Sequence, residues 1–111
     1  MSELINKQVG LEYCMDDEEF YQEMLETYIE DSAEVVGFMK DAYKDEDMAL
    51  YATKVHALKS TSRTIGAETL AEFALELETA AKASDVDTVK AKHDDCLALY
   101  DKVMEEVKGM L

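Results

Sequence analysis

The chain has 111 residues, of which 48% are hydrophobic and 33% are charged, and its formal net charge is −15. This length suits a single domain, 1–111, and the apolar content is high enough for a folded core. A surface this acidic repels phosphate backbones and anionic lipids, so we expect neither a nucleic-acid partner nor a membrane partner.

Targeting and redox signals are absent from the sequence. The apolar runs at 48–52 and 96–100 are far too short to cross a bilayer, and the N-terminal segment lacks the apolar stretch of a signal peptide. Cys14 and Cys96 are not in C-x-x-C spacing, which favours two reduced thiols. We therefore expect a cytoplasmic protein.

The repeat of apolar residues every three or four positions predicts an all-α protein. Proline is absent and only four glycines occur, so long helices can run without interruption. Short connections between them predict an antiparallel four-helix bundle, with a short additional helix at the N-terminus.

Two helices are predicted in the first part of the chain. The short one lies around residues 4–13, and a longer one starts at Asp16, which forms a D-x-x-E capping box with Glu19. The apolar face of the longer helix is predicted to contain Phe20, Met24, Tyr28, Val35, Met39 and Ala42.

Three further helices follow. The third begins near residues 45–47 and ends at Gly66, the fourth starts at Ala67, and the last follows a break at 84–87. The fourth helix presents Leu70, Phe73, Leu77 and Ala81 inward. The seam of the last helix contains Val89, His93, Cys96, Tyr100, Val103, Val107 and Met110.

The third helix carries one of only two histidines on the edge of its apolar stripe. The buried stripe is predicted to contain Met48, Tyr51, Ala52, Val55, Leu58, Ser62 and Ile65. His56 falls just beyond this stripe, beside water. Lys59 falls closest to the stripe, and we expect its stem to lie on apolar surface while its ammonium reaches water.

Small and basic residues share the side of the helix that carries His56. Ala49, Ala52, Ser60 and Arg63 are placed there by the helical repeat. They are candidates for binding a protein partner, although for Arg63 a solvated charge is an equal alternative.

This arrangement suits phosphoryl chemistry. A neutral imidazole offers a nucleophilic nitrogen near neutral pH and could attack phosphorus without an activating base. Lys59, one turn away, would offset the negative charge of a phosphoryl group on that nitrogen. His56 and Lys59 are therefore the candidate catalytic residues.

The same stretch resembles a known signature. His56-Ala57-Leu58-Lys59-Ser60, Gly66-Ala67, Leu70 and the pair Leu77-Glu78 are similar to the pattern H-x-L-K-G…G-A…L…L-E of histidine-containing phosphotransfer (HPt) domains. Upstream, Gly10-Leu11-Glu12-Tyr13 and Phe20-Tyr21 resemble what bacterial members carry at that place.

The resemblance implies a phosphorelay carrier in two-component signalling. His56 would take a phosphoryl group from the aspartyl phosphate of one receiver domain and hand it to the aspartate of another, and Lys59 would steady it. Ser60 departs from the family's usual glycine, which leaves its effect on receiver docking open. The implied partners are response-regulator receiver domains, a hybrid histidine kinase being one candidate source.

No cofactor or metal is expected on this chain itself. The resemblance places the Mg²⁺ on the partner receiver domain, and the four glycines lie too far apart for a phosphate-cradling loop. We therefore expect a carrier without an ATP site and not an autonomous kinase. An exposed transfer face is most simply used by a monomer.

Three other interpretations compete with a carrier that uses His56. His93 lies on an apolar seam, which favours a packed core histidine over a functional one. A metal-binding bundle is disfavoured because Thr53 and Lys90, not glutamates, stand three residues before the two histidines. An acidic helical adaptor that binds a protein partner without chemistry is the main alternative.

Overall fold

The computed structural model describes residues 4–111, which form five helices and no strand. The helices are α1 (Lys7–Tyr13), α2 (Glu18–Lys44), α3 (Met48–Thr64), α4 (Glu68–Lys82) and α5 (Val86–Gly109). The predicted all-α class is confirmed. No helix of the described part of the chain is both long enough and apolar enough to span a membrane.

The four long helices form a closed antiparallel bundle. Short turns at 45–47, 65–67 and 83–85 reverse the chain direction, and α2 and α4 each pack against both α3 and α5. Hydroxyl pairs cross the core: the Tyr28 hydroxyl lies 2.9 Å from Ser62 Oγ, and Ser32 Oγ lies 2.8 Å from the Tyr100 hydroxyl. These pairs let polar groups sit in the core without losing hydrogen bonds.

The start of α2 differs from the prediction. The helix is capped by Asp17, whose carboxylate accepts from the backbone N–H groups of Glu19 and Phe20, and not by Asp16. Met15 and Asp16 both have left-handed backbone angles, with φ of 58° and 59°. They form the turn between α1 and α2, so the helix begins one residue later than the capping-box pattern indicated.

The buried face of α2 is also rotated relative to the prediction. It contains Tyr21, Leu25, Tyr28, Ser32, Val36, Met39 and Ala42. Phe20 is 42% exposed, so its assignment to the apolar face was wrong, and Met24 and Val35 are only half-buried. This face includes Ser32, whose hydroxyl pairs with Tyr100, so a serine occupies a core position that hydrophobicity alone does not reveal.

The remaining helices agree closely with the sequence. The predicted stripe of α3 is buried except for Met48, which is half-buried, and the seam of α5 is buried except for Met110. α3 begins at Met48 behind the cap residue Asp47, whose carboxylate accepts from Leu50 N–H at 3.1 Å.

α1 begins at Lys7, later than the predicted 4–13, because the chain before it is bound elsewhere. The backbone N–H of Ile5 donates to the Glu106 carboxylate of α5 at 2.7 Å. Next to it, the backbone N–H of Asn6 donates to the carbonyl of Gly66 at 2.9 Å. Gly66 has a φ of +90°, a conformation that favours glycine, and it ends α3 as predicted.

Candidate functional site

His56 lies on the outer flank of α3, as the helical repeat predicted. Its side chain is 56% exposed, and its Nδ1 lies 2.8 Å from Oε2 of Glu78 on α4. The imidazole is therefore accessible on one side and hydrogen-bonded on the other.

Lys59 lies one turn further along α3 and points at the same carboxylate. Its Nζ donates to Glu78 Oε1 at 2.7 Å, and its side chain is only 14% exposed. The ammonium is thus held by a buried carboxylate, in a charge-assisted hydrogen bond.

Glu78 is the centre of the site. It is 3% exposed and accepts a third hydrogen bond at Oε2, from Lys82 Nζ at 2.9 Å. Burial alone would raise its pKa, but the hydrogen bonds from the two lysines and His56 outweigh burial and lower the pKa of Glu78 to about 2. Glu78 is thus ionised throughout the neutral range.

Sequence reasoning gave Glu78 no role beyond its place in the Leu77-Glu78 pair of the resemblance. The signal that could have identified it is its position in α4, where the buried residues Ala74, Leu77 and Ala81 surround one acidic residue. A carboxylate on a buried face needs cationic or N–H partners, and those partners lie on the flank of α3.

The Glu78 contact fixes which ring nitrogen of His56 carries the proton. An ionised carboxylate only accepts hydrogen bonds, so in the neutral imidazole the proton is on Nδ1 and the lone pair is on Nε2. Within residues 4–111, Nε2 has no hydrogen-bond partner. Nε2 is thus the ring nitrogen whose lone pair is available to an incoming group.

A groove of about 540 Å³ runs beside His56 between the N-terminal half of α3 and the end of α4. It is lined by Met48, Ala49, Ala52, Thr53, His56, Glu78, Ala81, Lys82 and Ser84. Two of the predicted docking residues belong to it: Ala49 is exposed on its wall, whereas Ala52 is 6% exposed and lies within its floor.

The other two predicted docking residues lie apart from this groove, nearer the C-terminal end of α3. Ser60 is exposed there and Arg63 is half-buried. The cations that the structure brings to the site are Lys59 and Lys82, and Arg63 is not part of the cluster around Glu78.

A family model described as "Hpt domain" matches residues 23–109, which include α3, α4 and every residue of the Glu78 cluster. The chain belongs to the Hpt domain family. The resemblance read from the sequence is confirmed, and the family indicates a histidine phosphocarrier of two-component phosphorelays. No curated protein and no solved structure gives a significant match to the chain.

The second histidine of this Hpt domain is in a very different environment. His93 on α5 is 3% exposed, its Nδ1 lies 2.7 Å from the Tyr51 hydroxyl, and its ring stacks on Tyr43 with centroids 3.8 Å apart. Burial lowers the pKa of His93 and keeps it neutral. A ring enclosed in this way cannot reach a partner protein.

The acidic and thiol side chains of the Hpt domain are spread over the bundle. Across residues 4–111, no three side chains of the histidine, cysteine, aspartate and glutamate types come together as a metal site would require. Cys14 and Cys96 are both free and buried, and they lie in the core, not near His56.

Proposed function

We propose that this Hpt domain is a phosphorelay carrier in which His56 Nε2 accepts a phosphoryl group from the aspartyl phosphate of one receiver domain. It then passes the group to the aspartate of another receiver. The observation that supports this most directly is the contrast between the histidines. His56 is exposed, and its Nε2 has no hydrogen-bond partner in the part of the chain that the structure describes, whereas His93 is enclosed.

The chemical step follows from the Glu78 contact. The lone pair of Nε2 forms the N–P bond while the P–O bond to the receiver's aspartate breaks, and the aspartate leaves as a carboxylate. The proton on Nδ1 stays in its hydrogen bond to Glu78, so no separate base is needed. The return step reverses these bonds.

Lys59 is proposed to steady the site from one turn away. Its ammonium is fixed on Glu78 Oε1, so it holds the carboxylate in place for His56 and adds positive charge close to where the phosphoryl group arrives. We assign it the role that the family pattern implies, acting together with Glu78.

The receiver is proposed to dock over the α3 face on both sides of His56. Ala49 and Ala52 leave room in the groove on one side, and Ser60 and Arg63 lie on the other. The Mg²⁺ that organises the transfer is expected in the receiver. We propose that the carrier acts as a monomer in the cytoplasm.

Phosphoryl transfer from a panel of phosphorylated receiver domains, with Mg²⁺ and detection by intact mass, tests the function. We expect one acid-labile phosphoryl group on the wild type and on His93→Gln, and none on His56→Gln. Circular dichroism establishes that each variant is folded. Folded wild-type protein that accepts nothing from any receiver would instead favour the adaptor without chemistry, and transfer to His56→Gln would place the acceptor elsewhere.

A further inference from the structure

Lys82 is a second lysine at the site that the family pattern does not include. It is the last residue of α4, and its Nζ lies 2.9 Å from Glu78 Oε2. His56 Nδ1 lies 2.8 Å from the same oxygen atom. The ammonium and the imidazole are therefore neighbours on one acceptor.

The two lysines of the cluster differ in how firmly they are held. Lys59 is 14% exposed and has Oε1 to itself, whereas Lys82 is 66% exposed and shares Oε2. An exposed lysine side chain changes rotamer at little cost, and an exposed ion pair contributes little to stability. Lys82 can therefore leave Glu78 without uncovering the core.

The groove gives Lys82 a path toward the outer side of His56. Both residues line it, and its other walls are mostly small, with Ala49, Ala52 and Ala81 among them. Among the residues that the structure describes, no phenylalanine or tyrosine lines this groove. Because His56 and Lys82 line the same groove, an ammonium that leaves Glu78 can move within it and stay beside the imidazole.

Phosphorylation changes which anion attracts Lys82 more strongly. A phosphoryl group brings up to about two negative charges and three strong acceptor oxygens. In the unphosphorylated site, Glu78 has three donors for one negative charge. The chain as a whole has a net charge of −15 and repels the incoming group, so a cation beside His56 favours the placement of the phosphoryl group there.

We propose that Lys82 exchanges Glu78 for the phosphoryl group when His56 is phosphorylated, and so acts as a second phosphoryl-binding cation. This rests on the proposed role of His56 as acceptor. Departure of Lys82 leaves Oε2 to the Nδ1–H of His56 alone, so the proton on Nδ1 is held more firmly while the phosphoryl group is carried.

The test uses phosphoramidate, a chemical donor to imidazole nitrogen, so that it does not depend on finding the right receiver. The phosphorylated chain is titrated and followed by ³¹P NMR. A bound ammonium favours the doubly charged phosphoryl group, so Lys82→Gln should move the midpoint of its titration to higher pH. We expect about half a pH unit, roughly a threefold change in proton affinity.

Two variants complete the design. Lys82→Arg keeps the charge and should restore the wild-type midpoint, and Lys102→Gln removes an exposed charge from the distant half of α5 and should leave it unchanged. Equal midpoints for Lys82→Gln and Lys102→Gln would overturn the inference while leaving His56 as the acceptor. Failure of receivers to phosphorylate a chain that phosphoramidate does modify would count against the proposed function alone. No phosphohistidine on His56 by either route would overturn both.

Discussion

Glu78 is the buried side chain that positions the other charged and polar groups of this site. It holds Nδ1 of His56, fixes the ammonium of Lys59 and receives that of Lys82, although only 3% of it is exposed. An ionised group is stable in such a position because hydrogen-bond donors replace the water it has lost. The three donors are therefore held by the negative charge of Glu78 as well as by its shape.

Replacement of Glu78 by glutamine keeps the shape and removes the charge. We expect Glu78→Gln to lower the free energy of unfolding by about 1–3 kcal/mol, because the half-buried Lys59 loses its counter-ion. Urea denaturation at neutral pH measures it. Glu76→Gln is the control: Glu76 also lies on α4 and pairs with Lys92 at 2.7 Å, but both side chains are exposed. Its loss should be less than about 1 kcal/mol, and equal losses would contradict the role given to Glu78.

At the scale of the element, α1 is attached to the bundle by close backbone approach. Gly10 packs so tightly that a Cβ there would overlap the Tyr21 ring and come within 2.6 Å of the Ile65 carbonyl oxygen. That carbonyl also accepts the Tyr21 hydroxyl at 2.9 Å. Because one of the crowding groups is backbone, the contact cannot be relieved by a change of side-chain rotamer.

Two glycine-to-alanine changes separate the effect of this close packing from the effect of helix propensity. Gly37 lies within α2, and a methyl group added there would meet no atom within 4 Å, so Gly37→Ala should stabilise by about 0.5–1 kcal/mol. Gly10→Ala gains the same helix propensity but forces α1 away from the bundle. We expect a net decrease of about 1–3 kcal/mol in the free energy of unfolding. Thermal or urea unfolding measures the change in stability of both variants. A Gly10→Ala variant that is more stable than wild type would show that α1 is loosely attached.

The elements that local patterns predicted well are those whose periodicity is strong. The stripe of α3, the exposed position of His56 and the glycine stop at Gly66 follow from spacing and from backbone conformation alone. The face of α2 was harder, because Ser32 is buried through a partner 68 residues away, Tyr100. Glu78 was missed for the same reason: its partners on α3 are distant in sequence, and only tertiary packing brings them together.

At the scale of the whole molecule, two opposing effects govern the response to pH. The chain has 26 acidic and 11 basic residues, so protonation of carboxylates relieves self-repulsion as the pH falls. Glu78 acts in the opposite direction, because its pKa of about 2 lies below the ordinary value of 4.5. Its contribution to stability is complete above about pH 4.5 and is lost as the pH falls toward 2.

His93 adds a second loss of stability on acidification, one that begins at a higher pH than the loss due to Glu78. Burial lowers its pKa in the folded state below 6.5, and Tyr43, Tyr51, Asp94 and Lys40 are the groups that face or influence it. The unfolded chain therefore binds a proton at His93 before the folded chain does. Stability from the neutral ring is complete above about pH 6.5 and declines below it, by at most about 1.4 kcal/mol per pH unit.

Comparison of wild type with His93→Gln between about pH 7.5 and about pH 5 separates this effect from the titration of the groups that both proteins share. Glutamine retains a hydrogen-bonding partner for Tyr51 but does not titrate. We expect the difference in unfolding free energy between the two proteins, from urea denaturation at each pH, to shrink steadily below about pH 6.5. His56→Gln keeps His93 in place and should therefore keep the part of the decline that is due to His93. A constant difference would mean that His93 can be protonated without leaving its place between Tyr43 and Tyr51, and that the core admits the charge.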